Sequence, residues 1–186
     1  MSSSWRYCRQ IDYVPKHQQR QTSCAKLTRS IHWRLTTFLS RIEAFGSKDW
    51  AQSGDSHPDW LTVGAVYKSA VSLYASLSLG SLGVLPPTVA LENSQAAHNN
   101  PLFCELHAAL KVPRIAKFMV WPLVVAGVQA KERGEATRNW VEASLRDISR
   151  VLGTGCPIKA CAVLKMYWAS DASGWDECFD RPNVLI

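Results

Sequence analysis

The chain has 186 residues, of which 47% are hydrophobic and 19% charged. That balance excludes a disordered chain, and the length suffices for one domain with a sizeable core. The net charge of +6 is uneven: residues 1–42 hold eight Lys/Arg against Asp12 alone, whereas the other 144 residues hold thirteen against fourteen Asp/Glu.

Residues 1–22 are polar and basic, with Pro15 and a Gln run, and predict a loose arm. Arg and Lys interleave there with Trp5, Tyr7 and Tyr13, a composition able to stack on and neutralise nucleic acid. Without a motif, a solvated tail is the simpler reading. Cys8, His17, Cys24 and His32 are spaced too widely for a structural zinc site, whose cysteine pairs sit two to four residues apart. From 23 to 186 the chain reads as one helical domain. Leu27, Ile31, Leu35, Phe38, Ile42 and Phe45 recur at steps of three and four, which predicts a helix over 23–46 with Gly46 at its end. Ser47 then caps a short helical turn containing Trp50. A further helix opens near Pro58, with Asp59 at the positive end of its dipole. Trp60, Val63, Tyr67, Ala70, Tyr74 and Leu77 share one of its faces.

Ser69 to Leu91 carries no charge and is long enough on paper to span a bilayer. Five serines dilute it and Pro86-Pro87 interrupts it, so a buried helix followed by a loop over 80–100 is expected. Helix resumes at Pro101 with Leu102, Leu106 and Leu110. Residues 118–152 organise the rest. An apolar helix around Pro122, Leu123, Ala126 and Gly127 gives way to a charged turn at Lys131, Glu132 and Arg133. An amphipathic helix follows, capped by Thr137, with Val141, Leu145, Ile148 and Leu152 on one side and Gly153 as a left-handed stop. Gly127 implies close backbone approach, at about 1 kcal/mol of helix propensity. Pro157 opens another helix with Ala160, Leu164, Tyr167 and Trp168 facing inward. Ser173 caps a last turn through Trp175, Cys178 and Phe179, and Val184-Leu185-Ile186 is expected to dock on the bundle. The fold class is therefore all-α: an irregular bundle of six to seven helices behind a basic arm.

The six cysteines, Cys8, Cys24, Cys104, Cys156, Cys161 and Cys178, include no CxxC pair, and neither a signal peptide nor an Asn-x-Ser/Thr site is present. Reduced thiols are expected. The chain contains no nucleophile elbow, phosphate loop, dinucleotide fingerprint or HExxH. Its histidines have no carboxylate at triad spacing. Cys156 beside Pro157 is the one thiol that a helix start could activate. With no paired histidine it reads as a small capping residue. No catalytic residue, metal or cofactor is implied.

The string Trp121-Pro-Leu-Val-Val-Ala-Gly127-Val-Gln-Ala-Lys-Glu-Arg, followed by Arg138-Asn-Trp140-Val and a helix ending Val151-Leu-Gly, resembles the fungal-specific transcription factor domain. That domain is the helical regulatory region found downstream of a zinc binuclear cluster. Asp49-Trp50-Ala, then Trp60 through Tyr67 and Tyr74, is similar to the preceding segment of that family, and Leu164-Lys-Met-Tyr-Trp168 to its closing helices. The likeness covers roughly residues 30–186, and the family's six-cysteine zinc motif is absent. The resemblance implies the C-terminal portion of a regulatory region, nuclear and non-catalytic, acting through protein partners or self-association. From the residues themselves no membrane contact is expected and no effector is identified, and without the zinc motif sequence-specific DNA binding by this chain alone is not expected. Trp50, Tyr67, Tyr74, Trp121, Pro122, Gly127, Trp140 and Trp168 are its motif positions, expected to be structural. A buried Trp121 would lose ~3–5 kcal/mol on truncation to Ala. A remnant without DNA-binding activity, or a small helical enzyme of unfamiliar chemistry, are the competing expectations.

Overall fold

The computed structural model describes residues 37–51, 57–81 and 89–179, and all that follows concerns the unit Phe38–Ile186. The expected arm 1–22, most of the helix 23–46 and the tail at Val184–Ile186 lie outside the described residues. Within them every regular element is a helix: the fold is an all-α bundle. Residues 37–43 form α1, followed by α2 (Ser47–Trp50), α3 (His57–Ser81), α4 (Val89–Ala109) and α5 (Pro113–Ala116). A 3-10 turn (Lys117–Met119) leads into α6 (Val120–Arg133), then α7 (Glu135–Leu152), α8 (Cys156–Trp168) and α9 (Trp175–Cys178).

The apolar stretch foreseen as central is central. Every residue from Pro122 to Ala130 of α6 is buried, and the helix packs on α3, α4, α7 and α8. Its neighbour α7 is one-sided: Val141, Leu145 and Ile148 are buried while Arg146, Asp147 and Arg150 face water. That is the division its spacing demands of a helix lying on a core. Leu152, expected on the same stripe, is 39% exposed at the helix end. The long helix α3 packs most extensively along α4 and buries the small side chains Ser69, Ala70, Ser72, Ala75 and Ser76. No helix among the described residues is long and apolar enough to cross a membrane.

Several boundaries differ from expectation. The loop over 80–100 is shorter, because residues 89–100 already belong to α4, which runs on through Pro101. Pro101 removes one ladder bond, a cost near 3 kcal/mol in an isolated helix. Burial of Leu102, Phe103, Leu106 and Ala109 immediately beyond it offsets that loss. Between α6 and α7 the charged turn contracts to Gly134 alone, at φ 89°, so Lys131 to Arg133 are helical. Gly134 takes the cap position assigned to Thr137, whose hydroxyl instead donates to Arg133 O at 3.5 Å. Gly153 adopts the left-handed conformation at the end of α7, as its place after the apolar stripe required. Ser47 and Ser173 are not caps either: Gly46 and Gly174 occupy those positions.

Candidate functional site

Three of the eight motif positions converge where α3 meets the start of α6. Tyr67 and Tyr74 stand two turns apart on α3 and hold the Trp121 indole between them. Tyr67 stacks on it at 5.8 Å between ring centroids and 25°, and Tyr74 meets it edge-on at 5.9 Å. The seam extends through Tyr74 to Trp175 of α9, at 4.8 Å, and on to Phe179 at 4.7 Å. Offset and edge-to-face pairs of this kind add about 0.5–1.5 kcal/mol each beyond simple burial. The Tyr67 hydroxyl donates to Phe118 O at 2.8 Å, tying α3 to the 3-10 turn, and burial raises its pKa above the ordinary tyrosine value. Trp121 itself is only half-buried.

The other motif positions lie elsewhere. Pro122 is fully buried in the first turn of α6. Gly127 faces α8 so closely that an added Cβ would lie 2.4 Å from Leu164 Cδ1. At the same place Trp168 Nε1 donates to Gly127 O at 2.8 Å, so the joint is both apolar and hydrogen-bonded. Trp140 of α7 lies flat on His107 of α4, with centroids 4.1 Å apart and planes 11° apart, beside Phe103. Trp50 ends α2, 48% exposed, and meets the edge of Trp60 at 5.8 Å. Trp60 in turn leans on Phe118.

On the α1–α3 side these aromatics border a surface depression that sequence reasoning missed. Three open cavities of about 390, 340 and 310 Å³ meet at Tyr67. The first lies over Phe38, Arg41, Ile42, Phe45, Lys68 and Val71. The second lies over Phe45, Trp50, Trp60, Val63, Gly64 and Phe118, and the third reaches Lys117, Trp121, Leu152, Thr154 and Cys156. Phe45 joins the first two and Phe118 the last two, so the three form a trough. Its floor is apolar, and its charged lining residues are Arg41, Lys68 and Lys117, with no carboxylate or histidine among the described residues. Lys68 is already engaged, donating to Glu43 O at 2.6 Å and Phe45 O at 3.0 Å and so closing the end of α1.

Among the described residues Cys104, Cys156, Cys161 and Cys178 are reduced thiols. Cys156 is half-buried at the first residue of α8, with its backbone amide donating to Thr154 Oγ1 at 3.4 Å. Cys161 and Cys178 are buried, and desolvation pushes both thiols up, Cys178 to about 12. Among the described residues no three of His, Cys, Asp and Glu come together in a way that would hold a metal.

In sequence, the chain is similar to a regulator of transcription. Over 145 residues, 77% of this chain, the sequence is 44% identical to the phomenoic acid biosynthesis cluster-specific transcriptional regulator of Leptosphaeria maculans. The chain spans only 28% of that relative's length. No protein-family model matches the chain, and no solved structure does. The relation is therefore to one stretch of a fungal transcriptional regulator.

Proposed function

We propose that this chain is a non-catalytic helical regulatory domain of a fungal transcription-factor-like protein, acting in the nucleus through protein contacts. It corresponds, on this reading, to the C-terminal part of a fungal-specific transcription factor domain. The observation that carries it is the 145-residue likeness to a cluster-specific transcriptional regulator, which extends over most of the chain rather than one short motif. The site agrees in kind: conserving energy in an aromatic seam and leaving an open apolar trough suits a surface that binds other proteins. Neither the trough nor the buried thiols offers the paired acid and base that a hydrolytic or transfer reaction needs.

The experiment is a tethering assay. The full chain is fused to an unrelated DNA-binding domain in a fungal host and a reporter bearing that domain's site is read. Reporter output should depart from that of the DNA-binding domain alone, upward or downward. Equal output, with the fusion present in the nucleus at matched abundance, would overturn the proposal.

A further inference from the structure

We infer that the trough over Tyr67 is a docking groove for an amphipathic helix of another protein, apolar on one face and rich in carboxylates beside it. The inference rests on the regulatory reading above for its biological setting and on geometry for its chemistry. Phe38, Phe45, Trp50 and Phe118 are 50%, 37%, 48% and 37% exposed along this one side. Large side chains left partly wet in a contiguous patch mark an interaction surface far better than scattered ones do.

Shape selects the kind of partner. The three cavities are open along the surface rather than enclosed, all share Tyr67, and the one over Trp60 also shares Phe45 with the first and Phe118 with the third. A groove of this form takes anchors from successive turns of a helix, at i, i+3 or i+4, and i+7. An extended strand would need a sheet edge to pair with, and the described residues contain no strand.

Charge selects its composition. Arg41 and Lys117 are exposed and line different cavities, and Lys68 lines the same cavity as Arg41. The charged lining residues are all cationic; of the acids nearby, Asp59 pairs with Arg114 at 2.7 Å and Glu43 lies on α1 outside the lining. A one-signed cationic rim around an apolar floor favours a carboxylate-flanked ligand and rejects a lysine-flanked one. Because the rim is exposed, it sets selectivity and salt dependence more than total affinity.

The test uses three fluorescent helical peptides of equal length, titrated by anisotropy against the full chain. The first carries Leu and Phe anchors at i, i+4 and i+7 with Glu on the flanks. The second exchanges every Glu for Lys, and the third exchanges every anchor for Ala. The Glu peptide should bind saturably, with both controls weaker by about tenfold or more. The double variant Arg41→Glu with Lys117→Glu, whose side chains are exposed and which should melt like the parent, should reverse the preference between the Glu and Lys peptides. Equal binding of the Glu and Lys peptides would overturn the inference, as would no binding by a cooperatively folded chain. Self-association that excludes the peptides, seen by sedimentation equilibrium, would assign the trough to a second copy instead and also overturn it. The reporter assay responds to regulation by any surface, so a silent reporter with intact peptide binding sinks only the regulatory reading.

Discussion

The two sides of α6 are built on opposite terms. Toward α8, Gly127 admits Leu164 into van der Waals contact, both are fully enclosed, and Trp168 fastens the joint through a backbone carbonyl. Toward α3, the contact is made by half-buried rings, Tyr67, Trp121 and Tyr74, with hydroxyls and indoles reaching the boundary. The first kind of contact tolerates almost no change of volume, because enclosed side chains have nowhere to move. The second keeps large apolar faces within reach of water, which costs some burial energy. Enclosed packing and the proposed docking surface thus lie on opposite sides of one helix.

The comparison breaks most visibly on truncation. Leu164→Ala should cost about 3 kcal/mol, since a fully buried leucine leaves a cavity as well as lost contacts. Trp121→Ala should cost less, about 2 kcal/mol, although it removes more atoms, because part of the indole is already solvated. Urea denaturation of both variants checks the order. A costlier Trp121→Ala would mean that the seam, rather than the α6–α8 joint, anchors the fold.

Alkaline pH probes burial by another route. The Cys178 thiol is pushed up to about 12 by burial, against an ordinary value of 9.0, with Lys131 opposing the shift. A raised acid is held neutral by the fold, so the stabilisation is complete below pH 9, where the unfolded thiol is still protonated too. Between pH 9 and 12 the unfolded chain loses the proton and the folded chain keeps it, and stability falls by up to ~1.4 kcal/mol per pH unit from this group. Tyr67 and Tyr167, also raised by burial, add to the fall above pH 10. Cys178→Ala should flatten the pH 9–10 part of the curve relative to the parent.

Much of the enclosed side was legible beforehand. The spacing of Val141, Leu145 and Ile148 placed α7, and Gly127 and Gly153 announced a close approach and a helix stop. These are local or one-dimensional signals, period and backbone permissiveness, and they survive folding unchanged. Residues 89–100 were illegible because Asn93, Asn99 and Asn100 are weak helix formers with prolines on either side of the stretch, and the packing of α4 on α3 outweighed them. Thr137 was misplaced as a cap because a flexible glycine three residues earlier turned the chain sooner. The trough was invisible for a different reason. It is assembled from α1, α2, α3, the 3-10 turn and the start of α8, and no single stretch carries a pattern for it.

The enclosed joint makes a sharper prediction when its two halves are changed together. Gly127→Ala places a methyl 2.4 Å from Leu164 Cδ1, and Leu164 is too enclosed to swing away freely. Overpacking of about 2 kcal/mol set against a helix-propensity gain near 1 kcal/mol leaves a net loss of about 1 kcal/mol. In the Leu164→Ala background the methyl has room, so the same change should become neutral or stabilising. The difference between the two backgrounds is a coupling energy that a double-mutant cycle reads directly.

The smallest effect belongs to the open side. Tyr67→Phe removes the hydroxyl that donates to Phe118 O at 2.8 Å and leaves the ring stacked on Trp121. Phe118 O then turns to water, which is accessible there, so the loss should be about 0.5–1 kcal/mol, near the bottom of the range for a lost hydrogen bond. Its interest lies in where that loss is felt. The bond fixes the 3-10 turn that carries Lys117 and Phe118, so hydrogen exchange should quicken at residues 117–119 while the amides of α7 and α8 stay as protected as before. Uniform acceleration across the bundle would show that the trough's wall and the core open as one unit, and the division drawn across α6 would then be structural only, with no separation in stability behind it.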